Sequence, residues 1–577
     1  MRGDINPQTA MFSYVSPESR VPATHPLGQL NAMSSASVGS GPRRPTHDWS
    51  RRESPGLGGA SSAPEHGAGT QGRHESGTRA PHSRIVSTVF NILPEWRSRL
   101  IAQHLNAGQR PTVRTCHLGM QRLAAVGLLL ALLALPSALF ASGFRIFDQS
   151  ASAVGQSGAF TAQADDPSAL HYNPAGMTQL RGIQTSVGTL LVGGSTSFTG
   201  PTGTTSRGDF GGSVAFPPPS NFYVTANLSD LGLTALKGLT AGLGVLSPFG
   251  IKYRYPNDGP FSTAVTQQTL PLLDIKPTIA FQLNDQLSLG VGADIYTFAS
   301  FWGAGQGVTK FNNAGLPGLP VGAPLEINGG DTAAGFNVSL LYTPLRNEDG
   351  KPLANIGLVY RSQATLHLNG NFLANGGLVA DASTTVVLPQ VYTGGIAIWP
   401  VRNRDNEWKL ELDVDYTGWK SLRNTDVHLS NGITIPFPQN WRSSYTVMIG
   451  TEYKWLQVER LPDWEIALRG GYWHSQNAVP DSSFSPTVPD SDNHSISVGL
   501  GLLCKDKGHF LGVLPCGHSG GAQFRPRAVG LDMAFQTLLY ETRTVAGNQN
   551  PVAIPGSVNG TYQTTWYVGS INLRVNF

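Results

Sequence analysis

At 577 residues the chain is too long for one ordinary soluble core, and only 13% of it is charged, about half the roughly 25% usual in globular proteins. Mean hydropathy is nonetheless only −0.12, which excludes a bundle of apolar helices, while low charge with 68 glycines fits a barrel that meets lipid outside and water inside. The formal net charge of +3 belongs to the front of the chain, where residues 1–119 carry 13 Arg, no Lys and 7 Asp and Glu, so the remainder is slightly acidic and no nucleic-acid partner is indicated.

Residues 1–119 are rich in Pro, Gly, Ser, His and Arg, as in "SGPRRPTHDWSRRESPGLGGASSAPEHG". Such a composition cannot bury enough apolar area to offset chain entropy. Met120 then opens "MQRLAAVGLLLALLALPSALFASGF". Arg122 precedes an apolar run from Leu123 to Leu135, Pro136 breaks it, and small residues follow. This is the pattern of a secretory signal peptide over 120–141, too short for a comfortable span, with cleavage expected after Ala141. A signal peptide works only at a chain start. Met120 is therefore the expected initiator and 1–119 a disordered pre-segment absent from the mature protein. The alternative is a cytoplasmic tail on a membrane-anchored protein.

Residues 142–182 contain small residues and the turn initiators Asp166-Pro167 and Asn173-Pro174, with no strand alternation. Such a segment cannot face lipid, because its backbone groups would be unsatisfied. It either hangs in the periplasm or folds into a lumen.

From Ile183 onward the period is two. In "KLELDVDY", Leu410, Leu412, Val414 and Tyr416 oppose Lys409, Glu411, Asp413 and Asp415. In "QLSLGVGADIY", Leu287, Leu289, Val291, Ala293 and Ile295 oppose Ser288, Gly290, Gly292 and Asp294. A sandwich also alternates, but a charged face beside an apolar one suits a polar lumen and a lipid exterior. Strands are expected near 183–198, 220–228, 239–255, 272–284, 286–302, 332–344, 353–369, 387–401, 407–420, 441–455, 464–476, 494–504, 527–545 and 563–577. The fold class is thus all-β, a transmembrane antiparallel barrel of about fourteen strands over 183–577. The chain stops on Phe577 at the end of "YVGSINLRVNF", which resembles the signal by which the barrel-assembly machinery recognises its substrates. A periplasmic C-terminus makes 303–331, 477–493 and 546–560 external and 505–526 periplasmic.

Cys116 precedes the signal peptide, which leaves Cys504 and Cys516 in one predicted periplasmic turn. An oxidising compartment favours a local disulfide; two free thiols, or a metal site using His509 or His518, are the alternatives.

The mature start "SGFRIFDQSASAVGQSGAFTAQADDPSALHYNPAGM", with "GVLSPFGIKYRY", "LPQVYTGGIAIWP", "LDVDYTGWKS" and "LRGGYWHSQNAVPDSSFSPTVPDSDNHSISVGLGL", resembles the FadL family of outer-membrane transporters for long-chain fatty acids and other hydrophobic compounds. The resemblance spans essentially all of 142–577. It implies that 142–182 is a hatch plugging the barrel. Substrate is captured at outer loops, enters an apolar pocket touching the hatch, and leaves sideways through the wall at a kinked third strand. It further implies a monomer in outer-membrane lipid. Carried over by position, Asn173-Pro174-Ala175 is the hatch turn, Phe144 the pocket aromatic near the hatch start, and Ser247-Pro248-Phe249-Gly250 the kink. A Pro inside a strand removes a ladder donor, so 247–250 is either a gap in the wall or an ordinary bulge. Phe144 is either pocket lining or core packing, and 173–175 either a hatch element or merely a turn. The loop 311–327 exposes Phe311, Leu316, Leu319, Val321 and Leu325 as a greasy landing site, unless it packs on itself. Lys276 and Arg469 face inward by alternation, either to anchor a carboxylate or to pair with inward acids such as Asp413 or Asp415.

The competing functions are a transporter of this fold for aromatic hydrocarbons, a general porin, and an outer-membrane enzyme. An anchoring cation in the lumen favours fatty acids, and its absence favours neutral substrates. Porins lack the opening plug. "GQSGA" at 155–159 fails the Gly-x-Ser-x-Gly elbow at its last position and no His-Glu-x-x-His occurs, so no catalytic residue, cofactor or metal is expected.

Overall fold

The computed structural model describes residues 143–300, 305–517 and 526–577. The expected pre-segment and signal peptide lie outside the described residues. Fourteen antiparallel strands close into a barrel. They are β1 (Ile183–Thr199), β2 (Ser220–Asn227), β3 (Leu239–Leu246, resuming at Gly250–Arg254), β4 (Gln267–Gln282), β5 (Leu287–Phe298), β6 (Ala333–Arg346) and β7 (Pro352–Arg361). They continue as β8 (Val391–Arg402), β9 (Asn406–Thr417), β10 (Ser444–Trp455), β11 (Trp464–Ser475), β12 (Asn493–Cys504), β13 (Ala528–Tyr540) and β14 (Gly560–Asn576). Each pairs with its sequence neighbour, and β14 returns to β1 in a register running from Gln184 opposite Asn576 to Thr199 opposite Thr561. Closure leaves no edge, which a sheet in lipid requires.

The alternation sets the two faces. Asp413 and Asp415 on β9 are buried inward, while Val414 between them is 42% exposed on the outside. Connections at the end carrying Gly182 and Phe577 are mostly tight, as at 283–286, 347–351 and 403–405. Those at the other end are long and carry their own hairpins, as expected of an external face. One predicted strand divides there. Residues 353–369 do not form a single strand, because β7 stops at Arg361 and Ala364–Ala374 pairs instead with Gly377–Leu388 in an external hairpin. Asn375 and Gly376 turn it with positive φ, an Asn-Gly hairpin signal.

Residues 143–182 lie inside the barrel. They contain two short helices, Ala151–Val154 and Ala169–Tyr172, and a 3-10 turn over Pro174–Gln179. So little regular structure leaves many backbone groups to satisfy, and the wall supplies the partners. Asp413 accepts from the N–H groups of Phe160 and Thr161 at 3.0 and 2.9 Å, and Glu411 accepts from Ala162 at 2.6 Å. Asn572 accepts from Ala151 at 2.9 Å, and Ser339 from Ala175 at 2.9 Å. Close approach needs bare wall: a Cβ on Gly471 would lie 2.2 Å from the backbone carbon of Gln156.

Asp413→Ala removes the acceptor of two buried N–H groups, at a cost of about 1–3 kcal/mol each. Hydrogen exchange should therefore accelerate by roughly ten- to a hundredfold at Phe160 and Thr161 while the strand amides of β9 and β10 keep their protection.

Candidate functional site

The site is built around an interruption of β3. Leu246 stands opposite Asp274 and Gly250 opposite Pro271, so three residues, Ser247 to Phe249, face only two on β4. Pro248 contributes no N–H, and the strand bulges. On the other side, β2 pairs with β3 only as far as Val245. Beyond that, among the described residues, the sole ladder partner of the resumed strand is Asp209, opposite Arg254. The wall therefore lacks ladder bonds beside the bulge.

The N-terminal segment takes up the freed groups. Ile146 N donates to Pro248 O at 2.9 Å, and Gly250 N donates to Phe144 O at 3.1 Å. Gln149 clasps Ser247 through both backbone groups, at 3.0 and 3.2 Å. Residues 144–149 thus act as a short strand laid across the bulge.

This docking places Phe144 in an aromatic floor. Its ring centroid lies 4.6 Å from Trp419, 5.6 Å from Trp441 and 6.1 Å from Phe249. Trp419 and Trp441 lie 5.0 Å apart. Gly143 has φ +64° and faces both indoles, so any side chain there would be strained and would clash. Above the floor is a cavity of about 190 Å³, bordered by Phe144, Ile251, Leu270, Val308, Leu368 and Trp441 and by polar groups such as Gln268 and Thr269. Among the described residues, no ionisable side chain lines it. Below the floor a small cleft is bordered by Arg145, Asp274 and Arg361.

The two inward cations expected from the sequence, Lys276 and Arg469, are already engaged. Lys276 pairs with Asp274 at 3.4 Å and with Asp294, and Arg469 pairs with Glu452 and Asp532 at 2.7 Å each. Their partners are not Asp413 and Asp415: Asp413 holds backbone, and Asp415 is bound by Arg145 at 2.5 Å. The structure therefore brings Phe144 together with Ser247, Pro248, Phe249 and Gly250. It does not bring Asn173-Pro174-Ala175 to the cavity. Asn173 instead clips the segment, accepting from Ala175 N at 3.2 Å and donating to Thr161 O at 2.8 Å. The outer loop is more buried than its sequence suggests, against neighbouring loops. Phe311 and Leu325 are buried against Phe372 and Val427, Leu316 and Leu319 are half-buried beside them, and Val321 remains exposed. External hairpins from three loops meet there, which a single loop's composition does not reveal. Cys504 and Cys516 form a disulfide with Cα atoms 5.8 Å apart, at the end of the barrel carrying Phe577. Nothing in their local sequence marks Trp419, Trp441 or Arg361 as site residues. Trp419 lies within "LDVDYTGWKS", but its partners come from distant segments.

Residues 132–508 match the outer membrane protein transport protein family, OMPP1/FadL/TodX. The chain belongs to this family. Like the family, it is an outer-membrane transporter of hydrophobic compounds. The FadL/TodX assignment rests on that match. An outer membrane protein of Neisseria meningitidis serogroup B is 24% identical over 406 residues, covering 63% of this chain and 83% of its own. A Pseudomonas aeruginosa FadL homologue superposes with a TM-score of 0.58 at 16% identity, over 76% of this chain and all of the homologue. The Pseudomonas putida toluene transporter TodX superposes at 0.50 with 13% identity, again over 76% of this chain and all of its own. At these identities the two structures establish a shared fold.

An external loop fastens the docked segment at Gly143. Asp490 accepts from Gly143 N at 3.3 Å and from Ala478 N at 2.9 Å. Burial pushes its carboxyl up to about 6, against the hydrogen bonds from Ala478 and Gly143 and the charge of Arg543. A carboxyl raised in the docked state holds a proton that it loses on exposure. The resulting stabilisation is fully present below the ordinary 3.8 and is lost as pH rises through about 6. Protection of the Ile146 and Gly250 amides, corrected for intrinsic exchange, should therefore fall by about tenfold or more between pH 4 and pH 7. In Asp490→Asn it should not change with pH.

Proposed function

We propose that this transporter takes up small neutral hydrophobic compounds, of the size of a single aromatic ring, and releases them through the wall at 247–250. The observation that carries this reading is the cavity lining, which among the described residues contains no charge to hold a carboxylate. Size agrees: an apolar cavity of about 150 Å³ binds benzene, whereas a long-chain acid has about three times as many carbons. A solute gains about 0.8 kcal/mol per buried CH₂ on entering such a lining, and no energy source is required if consumption inside maintains the gradient. Residues 143–182 serve as the hatch. Displacing Phe144 opens the floor and, because the same residues cover the bulge, frees the gap in the wall. Lateral exit through that gap spares an apolar solute the charged network beneath the hatch.

One observation favours a second reading, fatty acids. Arg361 is 7% exposed, and its Nε has no hydrogen-bond partner among the described residues. A carboxylate that passed the floor would meet it.

The test is uptake by Gram-negative cells that lack their own hydrophobic transporter and express the chain from Met120. Labelled toluene should accumulate well above empty-vector cells and labelled oleate should not. Gly250→Glu should abolish toluene entry, because an unpaired charge at the gap is costly to desolvate. Oleate uptake lost in Arg361→Leu would establish the second reading. If neither compound enters while the barrel is correctly inserted, the substrate assignment fails.

A further inference from the structure

The external rim of the barrel differs from sector to sector. Tyr360, Tyr392, Tyr416 and Tyr445 stand directly opposite one another on β7, β8, β9 and β10. Their ring centroids are 4.9, 6.0 and 4.9 Å apart in that order, and Phe336 on β6 extends the row at 5.8 Å from Tyr360. Tyr392 and Tyr445 are each 47% exposed on the outer surface. Such a belt marks the level where hydrocarbon gives way to headgroups.

Immediately beyond the external ends of β9 and β10, the chain places three exposed cations, Lys420, Arg423 and Arg442. They share one small platform. Lys420 N donates to Ser443 Oγ at 3.4 Å, Trp441 N to Leu422 O at 3.2 Å, and Asn440 N to Arg423 O at 2.9 Å. The indoles of Trp419 and Trp441 anchor it from the lumen side, so it is rigid. Two neighbouring external cations are neutralised: Lys310 pairs with Glu326 at 2.8 Å, and Arg543 with Asp481 at 2.6 Å. Among the described residues, none of the three platform cations has an ion-pair partner. The nearest acid in sequence, Asp426, accepts from Phe437 N. The next sector of the rim carries Asp492 and Glu541 instead.

Three unneutralised cations held together one step above a tyrosine belt repel one another unless an anion lies between them. The outer leaflet that this belt contacts is made of phosphorylated glycolipid. We propose that Lys420, Arg423 and Arg442 bind the phosphorylated headgroup of one such glycolipid, with Tyr416 and Tyr445 flanking its acyl–sugar junction. Guanidinium suits this task, since it grips phosphate through two parallel N–H bonds. The site is on the outer side of the platform, whose Trp441 borders the uptake cavity from within.

The test uses the full chain expressed from Met120, purified in detergent and mixed with diphosphoryl lipid A or with its enzymatically dephosphorylated form. Retention is read by native mass spectrometry at low salt. The diphosphoryl form should bind on the order of 100-fold more tightly, as three basic residues near an anionic surface would give. Lys420→Ala/Arg423→Ala/Arg442→Ala should lose that preference while keeping the heat-modifiable migration of a folded barrel, and a variant with Lys420→Arg alone should keep the preference. Equal retention of the two lipids by the unaltered chain, or an undiminished preference in the triple variant, would overturn the proposal. So would displacement by inorganic phosphate at the lipid's own concentration, which would mark a site for free anions.

Discussion

The structure depends on the way buried wall side chains satisfy the backbone of the segment they enclose. Fourteen strands around an empty lumen would make a water-filled pore. Here the lumen holds a chain with only two short helices and a 3-10 turn, and unpaired backbone groups cannot be left buried. Asp413, Glu411, Asn572 and Ser339 meet that requirement from four points on the wall. The carboxylates are buried charges themselves and would be costly alone. Lys409 bridges to Glu411 at 2.7 Å and donates to Ala159 O at 3.3 Å, so the same network that holds the segment also neutralises the wall. The polar face of "KLELDVDY" is therefore a set of partners for an inserted chain more than a surface for water.

The interruption of β3 follows the same logic. A strand that leaves its ladder in a membrane barrel exposes donors and acceptors with no solvent to receive them. Phe144, Ile146 and Gln149 receive them from inside. Each half of this arrangement is incomplete without the other. Moving residues 144–149 would uncover the bulge, and straightening the bulge would remove their seat. Under the proposed function, displacing residues 144–149 would therefore open floor and wall together, and Asp490 holds Gly143 from the external side.

Charge is partitioned by height. The ion pairs of Lys276, Arg469 and Glu452 and the Arg145–Asp415 pair sit at or below the aromatic floor, and the cavity above it is lined by uncharged groups. This separation lets a desolvated apolar site and a dense polar network coexist within one lumen. It also leaves Lys420, Arg423 and Arg442 distinct, since they lie outside both.

Much of this was legible in the sequence. Period-two alternation is a local property fixed by side-chain direction along a strand, so the inward set of Asp413 and Asp415 and the outward set of Val414 and Tyr416 could be read directly. The lack of alternation in 142–182 likewise excluded that segment from the lipid face, and Pro248 within a strand pattern marked the weak point of the wall. What the sequence could not supply were pairings between segments far apart in the chain. That Asp413 would hold Phe160, that Trp419 and Trp441 would close on Phe144, and that Phe311 would be covered by Phe372 and Val427 depend on which strands become neighbours when the barrel closes. Local composition determined which residues face inward. Closure and strand register decided which of them meet, because hydrogen bonds, aromatic contacts and ion pairs act over a few ångströms and come into being only once the fold has brought distant segments together.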